Sequence, residues 1–192
     1  MVTRQEQREK RREEILRAAL RLFVRKGYAG AKVGDIAEAV GMSTGLMFHY
    51  FESKEALYEE LIGFGVEGPM AMMDGGAEGD ALAFFEETAE GVLSYLKGDP
   101  MMADMFVLMG NALLDEAIPP RAKEMLAGFD VNTPTAEVVR RGQREGTIRA
   151  GDPVALSIAF WAAIQGIAEE LALCPDMPCP EPEWIVDIVR KR

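Results

Sequence analysis

Apolar positions along this chain repeat every three or four residues, and no stretch alternates with a period of two, so the pattern predicts an all-α protein. Residues 4–26 read as a first helix, with Ile15, Ala18, Ala19, Leu22 and Phe23 on one stripe and Gly27 placed to end it. Val33, Ile36, Ala37 and Val40 fall at i, i+3, i+4 and i+7 and predict a short second helix. Gly41 supplies a position that takes positive φ cheaply, and Ser43 is a good N-cap for a third short helix reaching Phe51. On that helix Met47 and Phe51 point inward, while Thr44, Leu46, Phe48 and His49 point largely outward.

Ser53 opens a fourth helix with Leu57, Leu61 and Ile62 on its inner face, which Gly63, Gly65, Gly68 and Pro69 are expected to weaken, kink or end. Residues 75–79, rich in glycine, read as a linker. Further helices are expected over 80–96 and 101–114, and another starts at Pro119-Pro120 and breaks or bends at Thr133-Pro134. Residues 136–144 resume it. Asp152-Pro153, an N-cap followed by proline at the first helical position, opens a long helix to about Leu173, and residues 181–190 form a last short one. The total is about nine helices.

Two short helices joined by a glycine-containing turn are the helix-turn-helix signature, whose second helix enters the DNA major groove. Charge sharpens this. The 192 residues carry a net −11, yet residues 1–54 balance at +4 and the remainder at −15. A basic end on an acidic body is the asymmetry expected when one end meets phosphates. Nine of the basic residues lie between Arg4 and Lys26, mostly off the apolar stripe, and serve either as a solvated face or as phosphate attraction.

No apolar run approaches the roughly 18 to 20 residues of a membrane span, and the first residues lack the apolar core of a secretory signal, so a cytoplasmic protein with no membrane partner is expected. Cys174 and Cys179 read as two reduced thiols, with a short-loop disulfide as the alternative. His49 is the sole histidine, so zinc has almost no ligand supply, and neither a metal nor a cofactor is expected. Catalysis is not expected either, since nothing marks an activated nucleophile.

The run Ile15-Leu16-x-Ala18-Ala19-x-x-Leu22-Phe23, then Gly27-Tyr28, Val33-x-Asp35-Ile36-Ala37, Gly41-Met42-Ser43-x-Gly45 and Tyr50-Phe51-x-Ser53-Lys54-Glu55-x-Leu57, closely resembles the TetR family of bacterial transcriptional regulators. The likeness covers residues 12–62; Arg141-Gly142-x-x-Glu145-Gly146-x-Ile148 leading into Asp152-Pro153 and Gly166 is similar more loosely. It implies a helix-turn-helix DNA-binding domain over residues 1–53 and a helical ligand-binding and dimerisation domain over 54–192. It also implies a homodimer on a palindromic operator in double-stranded DNA, released by a small-molecule effector. The DNA-binding residues it implies are Ser43, Thr44, Gly45, Leu46, Phe48, His49, Tyr50 and Lys54, with Tyr50 and Lys54 on phosphates; at Ala31 and Lys32 the family often has hydroxyl residues that cap the helix, and Lys32 is a phosphate candidate instead. The family usually has tyrosine where Phe48 stands and often lysine at Thr44. A drifted DNA-reading surface on a ligand-binding protein is therefore the alternative function, and an all-α enzyme a third.

Twelve methionines are many for this length and suit either an ordinary core or an adaptable apolar pocket. The resemblance makes the pocket an expectation, for a largely hydrophobic ligand, with Phe64, Phe85, Met102, Met105, Phe106, Met109, Met125, Phe129, Trp161 and Gln165 as candidate lining. Small residues at Ala155, Ala159, Ala162, Ala163 and Gly166 allow close helix packing, and with the last helix they resemble the family's dimer interface. Trp161 and Trp184 are candidate interface or core anchors, core being the first reading.

Overall fold

A computed structural model describes residues 3–75 and 79–192, the side chains of 72–75 excepted. The expected linker at 75–79 lies largely outside the described residues. The helices are α1 (Arg4–Gly30), α2 (Val33–Ala39), α3 (Thr44–Met47), α4 (Lys54–Gly75), α5 (Ala81–Gly98), α6 (Pro100–Ala112), α7 (Pro120–Ala127), α8 (Asn132–Glu145), α9 (Pro153–Leu173) and α10 (Pro182–Val186). Among the described residues there is no strand, and a lone antiparallel bridge joins Ile148 to Arg190.

The chain falls into two compact units. The first takes the chain up to Gly65 together with Val107–Ala127; the second takes Val66–Phe106 and Gly128–Arg192. Two of its three boundaries fall inside helices, α4 and α6, and the third at the end of α7, so the division differs from the expected one after residue 53.

In the first unit, Thr3 accepts from the Glu6 N–H while the Glu6 carboxylate accepts from the Thr3 N–H, a capping box that fixes the start of α1. Gly27, at φ 68°, interrupts the helix where expected, and one more turn follows to Gly30. Ile15, Leu20 and Phe23 of α1 are buried with Ile36, Met47, Leu57, Leu61 and Ile62. Phe23, Tyr28 and Tyr58 close the cluster, with Tyr58 edge-on to both at 5.0 and 4.9 Å between centroids.

Helix α4 departs from expectation. It runs through Gly63, Gly65, Gly68 and Pro69 without ending. Gly65 has a packing reason: a Cβ there would lie 2.3 Å from Met109 Sδ, so the absent side chain admits α6. A glycine read locally as a helix breaker is here a notch.

In the second unit, Phe85, Leu93, Val139, Ile148, Phe160, Ile164, Ile185 and Val189 share one core, with the Phe85 and Phe160 rings edge-to-face at 4.9 Å. The Asp80 carboxylate caps α5 by accepting from the N–H groups of Leu82 and Ala83. Thr133 and Pro134 open α8 rather than break a helix, because proline is tolerated in a first turn that lacks intrahelical acceptors for its N–H groups. Asp152 caps α9 through the Ala155 N–H, as its sequence indicates.

Two expectations about the end of the chain change. The last helix spans five residues, and after it the tail pairs back: the Arg149 N–H donates to the Val189 carbonyl and the Lys191 N–H to the Thr147 carbonyl. Ile185, Val186 and Val189 are thereby buried in their own unit, and Trp184 is exposed. Trp161 is half-buried against the core, its indole N–H donating to Thr135 Oγ1 at 2.9 Å.

Helix α9 corrects the reading that no apolar run is long enough to cross a membrane. Its 21 residues reach a mean hydropathy of 1.4 over an 18-residue window, of which 28% is buried. Ser157, Phe160, Ile164, Ala168 and Leu171 face the core, whereas Val154, Ala155, Ile158, Ala159, Ala162 and Gly166 form an uncovered apolar stripe.

Candidate nucleic-acid interface

The helix-turn-helix is built from the turn outward. Gly41 sits at φ 65°, a conformation open to glycine at no steric cost, and its N–H and that of Met42 donate to the carbonyls of Glu38 and Ala37, closing α2. Ser43 Oγ then accepts from the Leu46 N–H at 3.2 Å and starts α3. This helix is shorter than expected. After Met47 the chain tightens, the His49 and Tyr50 N–H groups donating to the Leu46 and Met47 carbonyls in three-residue steps.

Met47 is fully buried and Phe51 nearly so, which fixes the rotation of α3. Thr44, Gly45, Leu46, Phe48 and His49 are exposed and Tyr50 is half-buried. Leu46 and Phe48 each leave 46% of their surface in water, an unfavourable place for two large apolar groups unless something covers them. A Cβ on Gly45 would meet nothing within 4 Å, so its lack of a side chain leaves room for close approach to the helix backbone from outside.

At the flanks, Lys32 precedes α2 with no side-chain cap and makes no ion pair among the described residues. Lys26 Nζ holds Asp35 at 2.6 Å, and this hydrogen bond leads the causes that keep the Asp35 carboxyl below its usual range. Lys54, expected on a phosphate, has partners within the protein. Its ammonium donates to the carbonyls of Tyr28 and Ala31 at 2.9 and 3.2 Å and lies 4.2 Å from the Tyr28 ring centroid, which makes it a strut between α4 and the loop before α2.

Arginines that the sequence placed only on a diffuse basic face prove to be positioning groups. Arg11 donates to the Val40 carbonyl at 2.8 Å, at the end of α2. Arg12 forks onto both oxygens of Glu60 while its guanidinium covers Phe51. No local pattern marks either contact, since the partners are 29 and 48 residues away.

Residues 15–61, which contain α2, α3 and the start of α4, match the model of the bacterial regulatory proteins of the tetR family. Over 92 residues the chain is 32% identical to an uncharacterized HTH-type transcriptional regulator, YfiR, of Bacillus subtilis, covering 45% of each. Over 48 residues it is 50% identical to the HTH-type transcriptional repressor AcnR of Corynebacterium diphtheriae, a quarter of each chain. Residues 15–61 thus match the DNA-binding domain of the TetR family.

These alignments span less than half the length of either relative. Solved structures extend the likeness, of fold alone, across this chain. A mutant of HlyIIR superposes with a TM-score of 0.73 at 17% identity, over 96% of this chain and 100% of that one. PfmR, a TetR family transcriptional regulator from Thermus thermophilus, gives 0.67 at 23%, over 90% and 93%. AibR, in complex with isovaleryl coenzyme A and operator DNA, gives 0.66 at 17%, over 92% and 94%.

The TetR-family reading brings a pocket into question, and the candidate lining divides between the units. Phe64, Met109 and Met125 belong to the first, where Phe64 is exposed and Met109 occupies the Gly65 notch. Phe85, Met102, Met105, Phe106, Phe129, Trp161 and Gln165 belong to the second. There Phe85 is core, with Met102, Phe106 and Trp161 packed against it, and Gln165 donates to the Phe106 carbonyl at 3.1 Å. A cavity of about 190 Å³ lies elsewhere in the second unit, between Leu96, Lys97, Pro100, Ala103, Leu171, Pro175, Met177 and Cys179. It includes none of the expected residues. Cys174 and Cys179 are free thiols, and burial leads the causes that raise Cys179 above its usual range.

Proposed function

We propose that this chain is a DNA-binding transcriptional regulator, a repressor that leaves a palindromic operator when a small, largely apolar effector binds. The observation that carries the reading is the contrast across α3: Met47 and Phe51 lock the helix from within while Leu46, Phe48, Thr44 and His49 stand uncovered on a turn-fixed surface. That surface suits apolar contact to thymine methyl groups from Leu46 and Phe48, with hydroxyl and imidazole contacts beside them. Lys32 and Tyr50 are placed for phosphates, which fix register while base contacts specify.

Two half-sites call for a C2 dimer, with the recognition helices about 34 Å apart or a multiple of that spacing. The uncovered stripe of α9, lined by alanines and Gly166, supports self-association through that helix. The effector site we assign to the interior of the second unit, where Phe85, Met102, Phe106 and Trp161 cluster and Gln165 supplies a polar group. AibR, crystallised with a coenzyme A thioester and operator DNA, supports the pairing of effector and operator in a protein of this fold. The effector would favour a conformer that DNA disfavours, and α4 and α6, each of which begins in one unit and ends in the other, are covalent routes between them.

Selection of the purified protein against random double-stranded DNA, followed by anisotropy titration, tests the reading. A palindromic sequence bound far above competitor, in a salt-dependent manner, is the expected result. A folded protein that enriches no sequence overturns it.

A further inference from the structure

Charge on the first turns of α1 is sorted by face. Arg4, Arg8 and Arg11 fall at i, i+4 and i+7 on one stripe, whereas Glu6, Glu9 and Glu13 occupy the opposite side. The acidic side is largely occupied: Glu6 closes the capping box, and Glu13 pairs with Arg17 at 2.8 Å. On the basic side, Arg11 is bound to the Val40 carbonyl, at the point where α2 ends and the turn to α3 begins. At about 1.5 Å per residue, Arg8 and Arg4 carry the row roughly 5 and 10 Å further along the helix axis. Residues 3–10 are exposed throughout, and Arg4 and Arg8 make no ion pair or hydrogen bond through their side chains among the described residues.

Arg11 is also paired with Glu14 at 2.5 Å, so the free charges are Arg4 and Arg8, and on a chain of net charge −11 packing does not account for that exposed pair. We propose that Arg4 and Arg8 form a clamp on the DNA backbone, binding phosphates that flank the bases under α3. The clamp rests on the DNA-binding reading above. An anionic membrane is the poorer occupant, because residues 3–10 offer no large apolar side chain to insert into a lipid interface. The clamp contacts phosphates and not bases, so it strengthens binding to every sequence alike.

The test is the salt dependence of DNA affinity for the full-length protein, on the sequence selected by wild type and on an unrelated duplex. The double variant Arg4→Gln/Arg8→Gln keeps Thr3 and Glu6, so α1 still starts in the same place. Each lost phosphate contact lowers the slope of log K against log salt by about 0.9, and the double variant is expected to lose about 1.8 on both duplexes. Lys10→Gln, off the stripe, removes one charge and should leave the slope unchanged. An unaltered slope in the double variant overturns the clamp, as does an equal loss per charge in Lys10→Gln, which would indicate diffuse attraction. Binding of wild type to phosphatidylserine vesicles, abolished by the double variant while DNA affinity stays constant, also overturns it. If wild type binds no DNA, the regulator reading falls; if wild type binds and the slopes agree, only the clamp falls.

Discussion

The guanidinium of Arg12 in α1 forks onto the carboxylate of Glu60 in α4 and lies 4.5 Å from the centroid of the Phe51 ring. One side chain thus ties two helices to the residue that closes the helix-turn-helix. Both partners keep partial solvent contact, at 34% and 23% side-chain exposure, so screening trims the gain. Arg12→Ala is expected to destabilise the protein by about 1–2 kcal/mol, read from the urea midpoint. Glu60→Gln, which keeps one acceptor, should cost less.

Two glycines with the same local chemistry should respond differently to alanine. Within a helix the exchange gains up to about 1 kcal/mol from propensity. At Gly142 the new Cβ would meet Ile148 Cγ1 at 2.2 Å and Ala81 Cβ at 2.9 Å, and a β-branched side chain held in the core yields little. At Gly65 the obstacle is Met109, whose thioether can turn aside. Thermal unfolding should therefore show Gly142→Ala clearly destabilised, by about 1–3 kcal/mol, and Gly65→Ala much less affected.

Alkaline pH should loosen the first unit. Burial, followed by the nearby Asp115 charge, pushes the Tyr58 phenol up to about 12. Burial and then the hydrogen bond to Glu55 push Tyr28 higher still. A folded pKa above the unfolded value of about 10 contributes stability that is complete below pH 10 and lost as pH rises toward the folded value. Urea midpoints should fall between about pH 10 and 12, and Tyr58→Phe should flatten that fall.

Lys54 separates a strut from a phosphate ligand. If its ammonium serves chiefly the carbonyls of Tyr28 and Ala31, Lys54→Met lowers stability by about 1 kcal/mol and weakens DNA binding with no change in salt slope. A slope reduced by about 0.9 would assign it to a phosphate instead.

The uncovered stripe of α9 predicts its own disruption. Ala162→Glu places a charge on an exposed position, so circular dichroism should be unchanged. If α9 forms the proposed interface, sedimentation should show wild type as a dimer and the variant as a monomer, with loss of affinity for a two-half-site operator. A variant that sediments as wild type would remove α9 from the interface.

What the sequence revealed was what local chemistry decides. Gly41 with Ser43, and Asp152 with Pro153, mark helix boundaries through backbone conformation and capping, and the structure places them there. Gly65 and Pro69 were misread because the role of Gly65 is set by Met109, more than forty residues away. Hydrophobic periodicity gave Ile185 and Val189 as helical but not the core that receives them, nor that Trp184 between their neighbours stays in solvent. The methionines and phenylalanines proposed for one pocket fall into two units, because composition carries no address.

The notch at Gly65 has a chemical corollary. It seats the Met109 thioether with 7% of the residue in contact with water, in a space where an extra carbon makes the thioether move. A sulfoxide oxygen fits no better, and it is polar as well. Burial should therefore make Met109 slow to oxidise in the folded protein and faster as the first unit is loosened by urea, which peptide mapping after peroxide treatment would read.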